Sequence, residues 1–499
     1  MATSPGSPDD PALNTGFLRY LPEKFSRGIL SLQGILLISM AIASGFQGIF
    51  GMTWLKFPIL AGMILFSLLV AISGSRVIRV FLVLGLLCFP LTFQYAEDAW
   101  HTLNEGAVRA QLFLSFITAI MVLREPAFRS QLLQAAGNII VRQRQGRRVL
   151  MLLLGSHLFG LMMNMGSVVL LGSIASSRDR EKGATGHSYS QRQSALAIIQ
   201  GFVTTMMWSP LSLALVVVLS QVQDVTSSMI TPLGLLGVLL FLALSFAVSQ
   251  LEVWLRRHHP EPASKKPEET ERRGGASFLK ILMRGILLVV AIFSAITALS
   301  LVASVPVPVA VTLAIPVITF VWLMIQSHGD VGVCLRGPLA NTIFRTLPSQ
   351  SSEVGILLVA GFMGPVLVAL MPTADINAFL HSHHTPPGVI VLVAFFAIVA
   401  GGVLAVNPLI SVTIALGVLA DPMALGIHPL YLALSILGAW AVASALSPYT
   451  GVTIVTASMF GVKSTTLALV WNRLFGVIAL TVCAGIILIF GELTAIPIT

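Results

Sequence analysis

Residues 149–176 read VLMLLLGSHLFGLMMNMGSVVLLGSIAS. Basic residues flank this apolar stretch closely on both sides: Arg142, Arg144, Arg147 and Arg148 before it, and Arg178, Arg180 and Lys182 after it. Lys and Arg in short loops gather at the cytoplasmic face of a membrane. The stretch is therefore predicted to enter and leave the membrane on that face, as a re-entrant helical hairpin.

The composition of the whole chain supports a membrane environment. Of its 499 residues, 56% are hydrophobic and 10% are charged, and the mean hydropathy is +0.91. A soluble domain carries about 25% charged residues, so this chain has too little polar surface for water. The net charge of +9 is attributed to basic residues at the bilayer surface, and no nucleic-acid partner is expected. Three scattered cysteines indicate neither a disulfide framework nor a metal site.

Eleven other apolar runs are long enough to cross about 30 Å of hydrocarbon. They are 28–47, 58–75, 77–94, 108–123, 194–221, 232–253, 281–303, 307–326, 354–372, 429–460 and 474–491. A further apolar stretch, 388–420, lies between segments without Lys or Arg and is predicted to be a second hairpin, opening to the outside. With both hairpins, 27 of the 29 Lys and Arg residues are cytoplasmic. If both were single spans, 14 of them would move outside, against the distribution that membrane proteins favour.

The predicted fold is an all-α polytopic membrane protein with about 11 transmembrane helices and two opposed re-entrant hairpins in two inverted repeats. The N-terminus is predicted to be cytoplasmic and the C-terminus outside. The predicted segments are a cytoplasmic N-terminal segment (1–27), a first transmembrane helix (28–57), a first repeat (58–254) with hairpin 149–176, a cytoplasmic linker (255–279) and a second repeat (280–499) with hairpin 388–420. Inverted repeats place a binding site near the midplane, where they meet.

Polar residues interrupt the apolar pattern at matched places in the two repeats. In the first repeat they are Asn164, Gly166, Ser167, Thr205, Ser209, Pro210 and Ser212; in the second they are Asn407, Ser411, Thr413, Ser447, Pro448, Thr450 and Gly451. Each proline should break its helix halfway across the membrane. Freed carbonyls can coordinate Na⁺, and helix N-termini can hold an anion. These residues are predicted to bind substrate, with Na⁺ near Asn164 and Ser209 and near Asn407 and Ser447. Helix packing alone is the alternative explanation for such small polar residues.

Two groups of ionisable residues are further candidates. His157 lies within the first hairpin, and an ionisable residue at membrane depth is by default a functional hypothesis. It is a candidate for carrying a coupling proton, with hydrogen-bonded packing as the alternative. Asp375, His381, His383 and His384 form a cluster that we interpret as a solvated outer loop rather than a metal site.

The order of eleven spans and two hairpins, each with an Asn-centred tip before a Pro-broken helix, resembles the ion transporter superfamily. The divalent anion/sodium symporters are the most similar in architecture. The tips read Met163-Asn164-Met165 and Val406-Asn407-Pro408, where the symporters have Ser-Asn-Thr, so only the asparagines carry over. The resemblance implies a homodimer whose hairpin-bearing domain moves as an elevator against a scaffold.

The predicted function is secondary active transport of a small anionic solute, a carboxylate or oxyanion, across the cytoplasmic (inner) membrane. Na⁺ or H⁺ is the expected driving ion, no cofactor is expected, and the partners are the solute and the lipid bilayer. An enzyme is not expected, because the sequence has no zinc-protease pattern and no nucleotide-binding glycine loop. An ion channel is the main alternative, with a membrane-embedded enzyme or a scaffold behind it.

Overall fold

The structure is a computed structural model that describes residues 18, 22–141, 143, 145–181, 188–255 and 275–495. Residues 1–17 and 19–21 of the predicted N-terminal segment and residues 256–274 of the predicted linker lie outside the described residues. Within them the regular structure is helical, with no strand. Ten helical segments are long and apolar enough to cross a membrane. The all-α polytopic membrane fold is therefore confirmed.

The helices, in chain order, are α1 (Glu23–Phe50), α2 (Lys56–Ser73), α3 (Arg76–Tyr95), α4 (Ala99–Arg129), α5 (Gln131–Val141), α6 (Gln145–Met163), α7 (Met165–Glu181), α8 (Tyr189–Val203), α9 (Leu213–Leu219), α10 (Ser227–Leu255), α11 (Gly275–Ala303), α12 (Val307–Gln326), α13 (Val331–Cys334), α14 (Leu347–Ser349), α15 (Ser351–Ala369), α16 (Thr373–Ser382), α17 (Pro387–Val403), α18 (Pro408–Val418), α19 (Pro429–Leu446), α20 (Gly451–Phe460) and α21 (Arg473–Leu493). Short 3₁₀ segments cover Thr53–Leu55, Thr204–Met207 and Met423–Leu425, and π-helical segments cover Leu335–Leu339, Thr342–Thr346 and Thr466–Trp471.

The chain divides into two compact units. The first, here called the scaffold unit, contains the described residues up to Pro126 together with Ile292–Pro372. The second, the hairpin unit, contains the described residues from Ala127 to Ala291 and from Thr373 onward. Each unit takes helices from both predicted repeats. The bounds of the repeats, as distinct from the units, remain a prediction.

Buried polar pairs join the helices of the scaffold unit. Gln33 Nε2 of α1 donates to Ser73 Oγ of α2 at 2.7 Å. Gln111 Nε2 of α4 donates to Ser44 Oγ of α1 at 3.0 Å. Between apolar helices that are already surrounded by lipid, such bonds and close packing replace the hydrophobic effect as the source of specific association.

The first hairpin of the hairpin unit is formed by α6 and α7, which reverse direction at Asn164. A Cβ at Gly155 would lie 2.6 Å from Ile140 Cδ1, and a Cβ at Gly137 would lie 3.1 Å from Ile174 Cδ1. Thus residues 155 and 174 both pack against one turn of α5. An uninterrupted helix would separate them by roughly 28 Å, so the chain must fold back on itself.

The second hairpin is formed by α17 and α18. Helix α16 precedes α17 directly, and it packs against both α18 and the 3₁₀ turn that follows α18. The beginning and the end of this hairpin therefore lie beside the same helix. The reversal occurs over residues 404–407, where Ala405 has a positive φ of 69°.

Both predicted proline breaks are present. The predicted span 194–221 is divided into α8, the 3₁₀ segment Thr204–Met207 and α9, which begins only at Leu213. This segment is not among the ten candidates, although the sequence predicted eleven spans. The predicted span 429–460 is divided into α19 and α20 at residues 447–450. We call these breaks the first break (208–212) and the second break (447–450).

The packing within the hairpin unit follows the same pattern twice. Helix α6 packs against α7, α8 and α10, and α17 packs in the same way against α18, α19 and α21. The return arm of each hairpin packs against the half-helix that follows the other break, α7 against α20 and α18 against α9. This exchange brings the two halves of the hairpin unit together around the breaks.

Candidate functional site

The tip of the first hairpin is a single residue, Asn164. Its φ of 48° is in the left-handed region, which Asn tolerates better than most residues. Its carbonyl accepts hydrogen bonds from the N–H and the Oγ of Ser167, at 3.0 and 2.8 Å. Its half-buried side-chain amide forms no hydrogen bond with the described residues. Asn164 thus shapes the tip through its backbone and leaves its amide available, while Ser167 and Gly166 are buried in the tip.

The first break is stabilised by serine hydroxyls. Ser209 Oγ accepts the N–H of Leu211 at 3.1 Å. Ser212 Oγ caps α9 by accepting the N–H of Ala214 at 3.3 Å. Pro210 has no N–H to offer. These hydroxyls replace helical hydrogen bonds that the break removes, which explains the serines on both sides of the proline.

Main-chain carbonyls beside the first break have no hydrogen-bond donor in the following turn, among them those of Met206 and Met207. Pro210 has no N–H for Met206 O, Ser209 N–H donates to Thr205 O, and Leu211 N–H donates to Ser209 Oγ. Unwound carbonyls of this kind are the ligands that discontinuous membrane helices offer to Na⁺. The sequence placed Na⁺ ligands near Ser209, and the structure places the unused oxygens two and three residues before it.

His157 connects the first hairpin to the first break. Thr204 Oγ1 donates to Gly201 O at 2.6 Å, so it accepts from His157 Nδ1, which lies 2.8 Å away. Trp208 Nε1 donates to His157 Nε2 at 3.4 Å, and the two rings stack with centroids 6.1 Å apart. This set of donors and acceptors fits the neutral imidazole with its proton on Nδ1.

Thr205, the other predicted hydroxyl of this segment, turns toward its own helix. Its Oγ1 donates to Phe202 O at 2.8 Å, and its side chain is buried. The contact of Thr205 with substrate stays a prediction.

The second break is also built from hydroxyls. Ser447 Oγ donates to Gly402 O at the end of α17, 2.6 Å away, and accepts the N–H of Tyr449. Because Pro448 lacks an N–H, the carbonyl of Ser444 loses its helical donor, and Thr450 Oγ1 donates to it at 3.1 Å. Ser447 therefore joins the second hairpin to the second break.

The tip of the second hairpin is satisfied within itself. Asn407 Oδ1 caps α18 by accepting the N–H of Leu409 at 3.0 Å. The main-chain carbonyl of Asn407 accepts the N–H groups of Ile410 and Ser411. Ser411 lies against Gly401 of the opposite arm. Thr413 is buried, and its Oγ1 has no hydrogen-bond partner among the described residues. Asn407 is thus a capping residue, unlike Asn164.

The N-termini of α7 and α20 lie side by side. A Cβ at Gly451, the first residue of α20, would lie 3.2 Å from Met165 Cε, at the first residue of α7. Seven residues along α7, a Cβ at Gly172 would lie 2.7 Å from Sδ of Met459, eight residues along α20. Contacts in this order show that the two helices run parallel with their N-termini level. Their dipoles therefore point positive charge at the same place.

The first turn of α20 has no cap. The N–H groups of Gly451, Val452 and Thr453 find no acceptor in the preceding turn, and no side chain caps this helix. Gly451 and Tyr449 are exposed there. By contrast, Ser212 caps α9 and Asn407 caps α18. Unused N–H groups at a helix N-terminus are suited to binding an anion.

Both hairpins reach the second break. The second hairpin bonds to Ser447 through Gly402, and Met165 of the first hairpin contacts Gly451, four residues further along the chain. Four residues span at most about 14 Å. Residues of both hairpins therefore lie near each other at the second break, and a solute site shared between them stays a prediction.

Sequence reasoning did not identify Met165, Met206 or Met207, whose contribution comes from position and main chain rather than side-chain type. It also did not identify Asn472, which is buried beside the broken helices. An Asn between two apolar runs was the available signal. Within the described residues, no group of three or more His, Cys, Asp or Glu could hold a metal ion, and Asp375, His381, His383 and His384 are exposed on and after α16.

Comparison with known proteins adds information on the fold. No family model matches the chain, and no curated protein sequence matches it. A similar solved structure is the crystal structure of the YdaH transporter from Alcanivorax borkumensis, whose topology is described as unusual. The two chains are 16% identical, the match covers 84% of this chain and 99% of that one, and the TM-score is 0.55. At this identity the likeness concerns the fold.

Proposed function

We propose that this protein is a secondary active transporter for a small anionic solute, a carboxylate or oxyanion, in the cytoplasmic membrane. The observation that carries the proposal is the pair of parallel N-termini of α7 and α20, level with each other, with uncapped amides on α20. An anion there would be held by main-chain N–H groups and two helix dipoles, without an Arg or Lys side chain. The unused amide of Asn164, next to the first residue of α7, would complete the site.

The charge pattern of the two breaks supports coupling to a cation. The first break offers carbonyl oxygens at Met206 and Met207, and the second offers N–H groups at α20. Oxygen ligands suit Na⁺, and helix N-termini suit the solute, as in discontinuous helices of other transporters. H⁺ carried by His157 is the alternative form of coupling. In either form the driving ion and the solute would bind within the hairpin unit.

We further propose that α6–α7 and α17–α18 are re-entrant from opposite sides of the membrane. The hairpin unit would carry solute as an elevator while the scaffold unit stays fixed, in a homodimer whose N-termini are cytoplasmic. The likeness in fold to the YdaH transporter favours transport over an enzymatic role.

A binding screen followed by transport tests the proposal. Purified protein would be tested by thermal shift against carboxylates, sulfonates and inorganic oxyanions, with Na⁺ or with choline. Ligands that stabilise it would then be offered to proteoliposomes under a Na⁺ or pH gradient. Saturable uptake that requires one gradient is expected. A current that rises with voltage without saturating in solute would indicate a channel, and binding without uptake would contradict transport.

A further inference from the structure

The second break leaves the carbonyl of Ala445 without its helical donor. In an uninterrupted helix this carbonyl would accept the N–H of Tyr449, but that N–H donates to Ser447 Oγ at 3.1 Å. Asn472 Nδ2 donates to Ala445 O instead, at 2.9 Å. Asn472 is 1% exposed, so water does not compete for this bond.

The same amide also reaches the first broken helix. Gln200 Nε2 donates to Asn472 Oδ1 at 2.8 Å. Gln200 lies on α8, four residues before the 3₁₀ segment Thr204–Met207 that leads into the first break, and is 5% exposed. One buried side chain therefore bonds α8 and α19, the half-helices that lead into the two breaks.

Several side chains around the amides of Gln200 and Asn472 are polar and hydrogen-bonded to one another. Gln200 borders a cavity of about 20 Å³ that Gln193, Ser249 and Glu252 also line, which is room for about one water molecule. Arg192 of α8 donates to Glu252 of α10 and to Trp471 O, each at 2.5 Å. Asn472 directly follows the π-helical turn Thr466–Trp471, a local irregularity that often marks functional positions.

We propose that Asn472 is a positioning residue that fixes the two breaks relative to each other. Its donor side holds the second break through Ala445, and its acceptor side holds the first through Gln200. Asn472 would thereby keep the carbonyls of Met206 and Met207 at a constant distance from the main-chain amides of α20. The purpose of this spacing, to hold the ion and solute sites together, rests on the proposed function. In this role neither Asn472 nor Gln200 contacts the solute.

Distance measurement tests this role independently of transport. Spin labels would be attached at Gln223→Cys, after α9, and Ser458→Cys, on α20, in a protein with Cys88, Cys334 and Cys483 replaced by alanine. Pulsed EPR should give one narrow distance distribution in the parent and a broad or shifted one in Asn472→Ala. Asn472→Asp, which keeps size but places an oxygen against Ala445 O, provides a second variant if the alanine protein does not fold.

The exchanged pair Gln200→Asn with Asn472→Gln keeps two amides in contact and should restore a narrow distribution. Loss of the buried bonds should raise KM for the solute about tenfold, with the maximal uptake rate within about twofold of the parent. Thr481→Ala, which removes only a bond within α21, is the matched control. An unchanged narrow distribution in Asn472→Ala, or no recovery in the exchanged pair, overturns the proposal. If the distribution broadens but the parent takes up no solute, the positioning role stands and the proposed function falls.

Discussion

Asn164 is a residue at which backbone and side chain can be tested separately. Asn164→Gly should keep the left-handed φ of 48° without strain, whereas Asn164→Ala adds about 1–2 kcal/mol of backbone strain. Both substitutions remove the amide. We therefore expect both variants to lose solute affinity by about tenfold, and only the alanine variant to lose thermal stability.

Isothermal titration with the solute and thermal unfolding in detergent would measure the two effects. Alanine at His381, exposed on α16, serves as the control that should change neither. Full affinity in Asn164→Gly would show that the amide is not part of the site.

His157 allows a test of coupling by protons. A second proton would make Nε2 a donor, and it would then oppose the N–H of Trp208, which now donates to it at 3.4 Å. If His157 carries the coupling proton, His157→Gln abolishes uptake driven by a pH gradient but preserves solute exchange, which needs no net proton movement. Radiolabelled uptake and counterflow in proteoliposomes measure the two activities. If the variant takes up solute under a pH gradient at the parental rate, His157 is a packing residue.

Helix α20 carries the prediction at the scale of an element. A carboxylate at Gly451 would sit at the uncapped N-terminus and occupy the position proposed for the solute anion. Only the flexible end of Met165 lies close to a Cβ there, 3.2 Å away, so the fold should accept the change. Gly451→Asp is expected to abolish solute binding and to leave thermal stability equal or slightly higher, because the helix dipole favours the charge.

Ser458→Asp is the matched control, since it places the same charge on an exposed position in the last turn of α20. Solute binding, followed by thermal shift, should be kept in this variant. Equal loss of binding in both variants would attribute the effect to net charge and contradict an anion site at the N-terminus.

The breaks show which features of an element can be predicted from sequence. Proline removes a helical hydrogen bond, and Pro210 and Pro448 also lie among serines and threonines in the middle of apolar runs, so both breaks could be predicted. Proline alone is not sufficient, because Pro90 and Pro365 lie inside continuous helices. The hydrogen-bond partner of each carbonyl that loses its helical donor at a break could not be predicted. Thr450 takes the carbonyl of Ser444, and Asn472 takes that of Ala445, and these pairings depend on tertiary packing that no local pattern encodes.

At the scale of the molecule, apolar runs located the helices, because a membrane span needs about 20 apolar residues. The same rule does not identify which helices form one compact unit. The scaffold and hairpin units each combine two segments that are far apart in the sequence. Similarly, the paired asparagines at 164 and 407 look equivalent in sequence, but one caps a helix and the other leaves its amide unused.

Orientation in the membrane is the prediction that belongs to the whole molecule. The second hairpin begins and ends beside α16, so both of its ends should face the same aqueous compartment. The absence of Lys and Arg from 373–387 and 421–428 assigns that compartment to the outside. Cysteines at Ala378 and Ala424, both exposed, should therefore react with an impermeant maleimide added to intact cells. A cysteine at Gly146, exposed at the start of α6 among arginines, should react only after the cells are opened. Labelling of residues 378 and 424 from opposite sides of the membrane would make 388–420 a single span. It would then also invert the predicted orientation of the helices that follow residue 424.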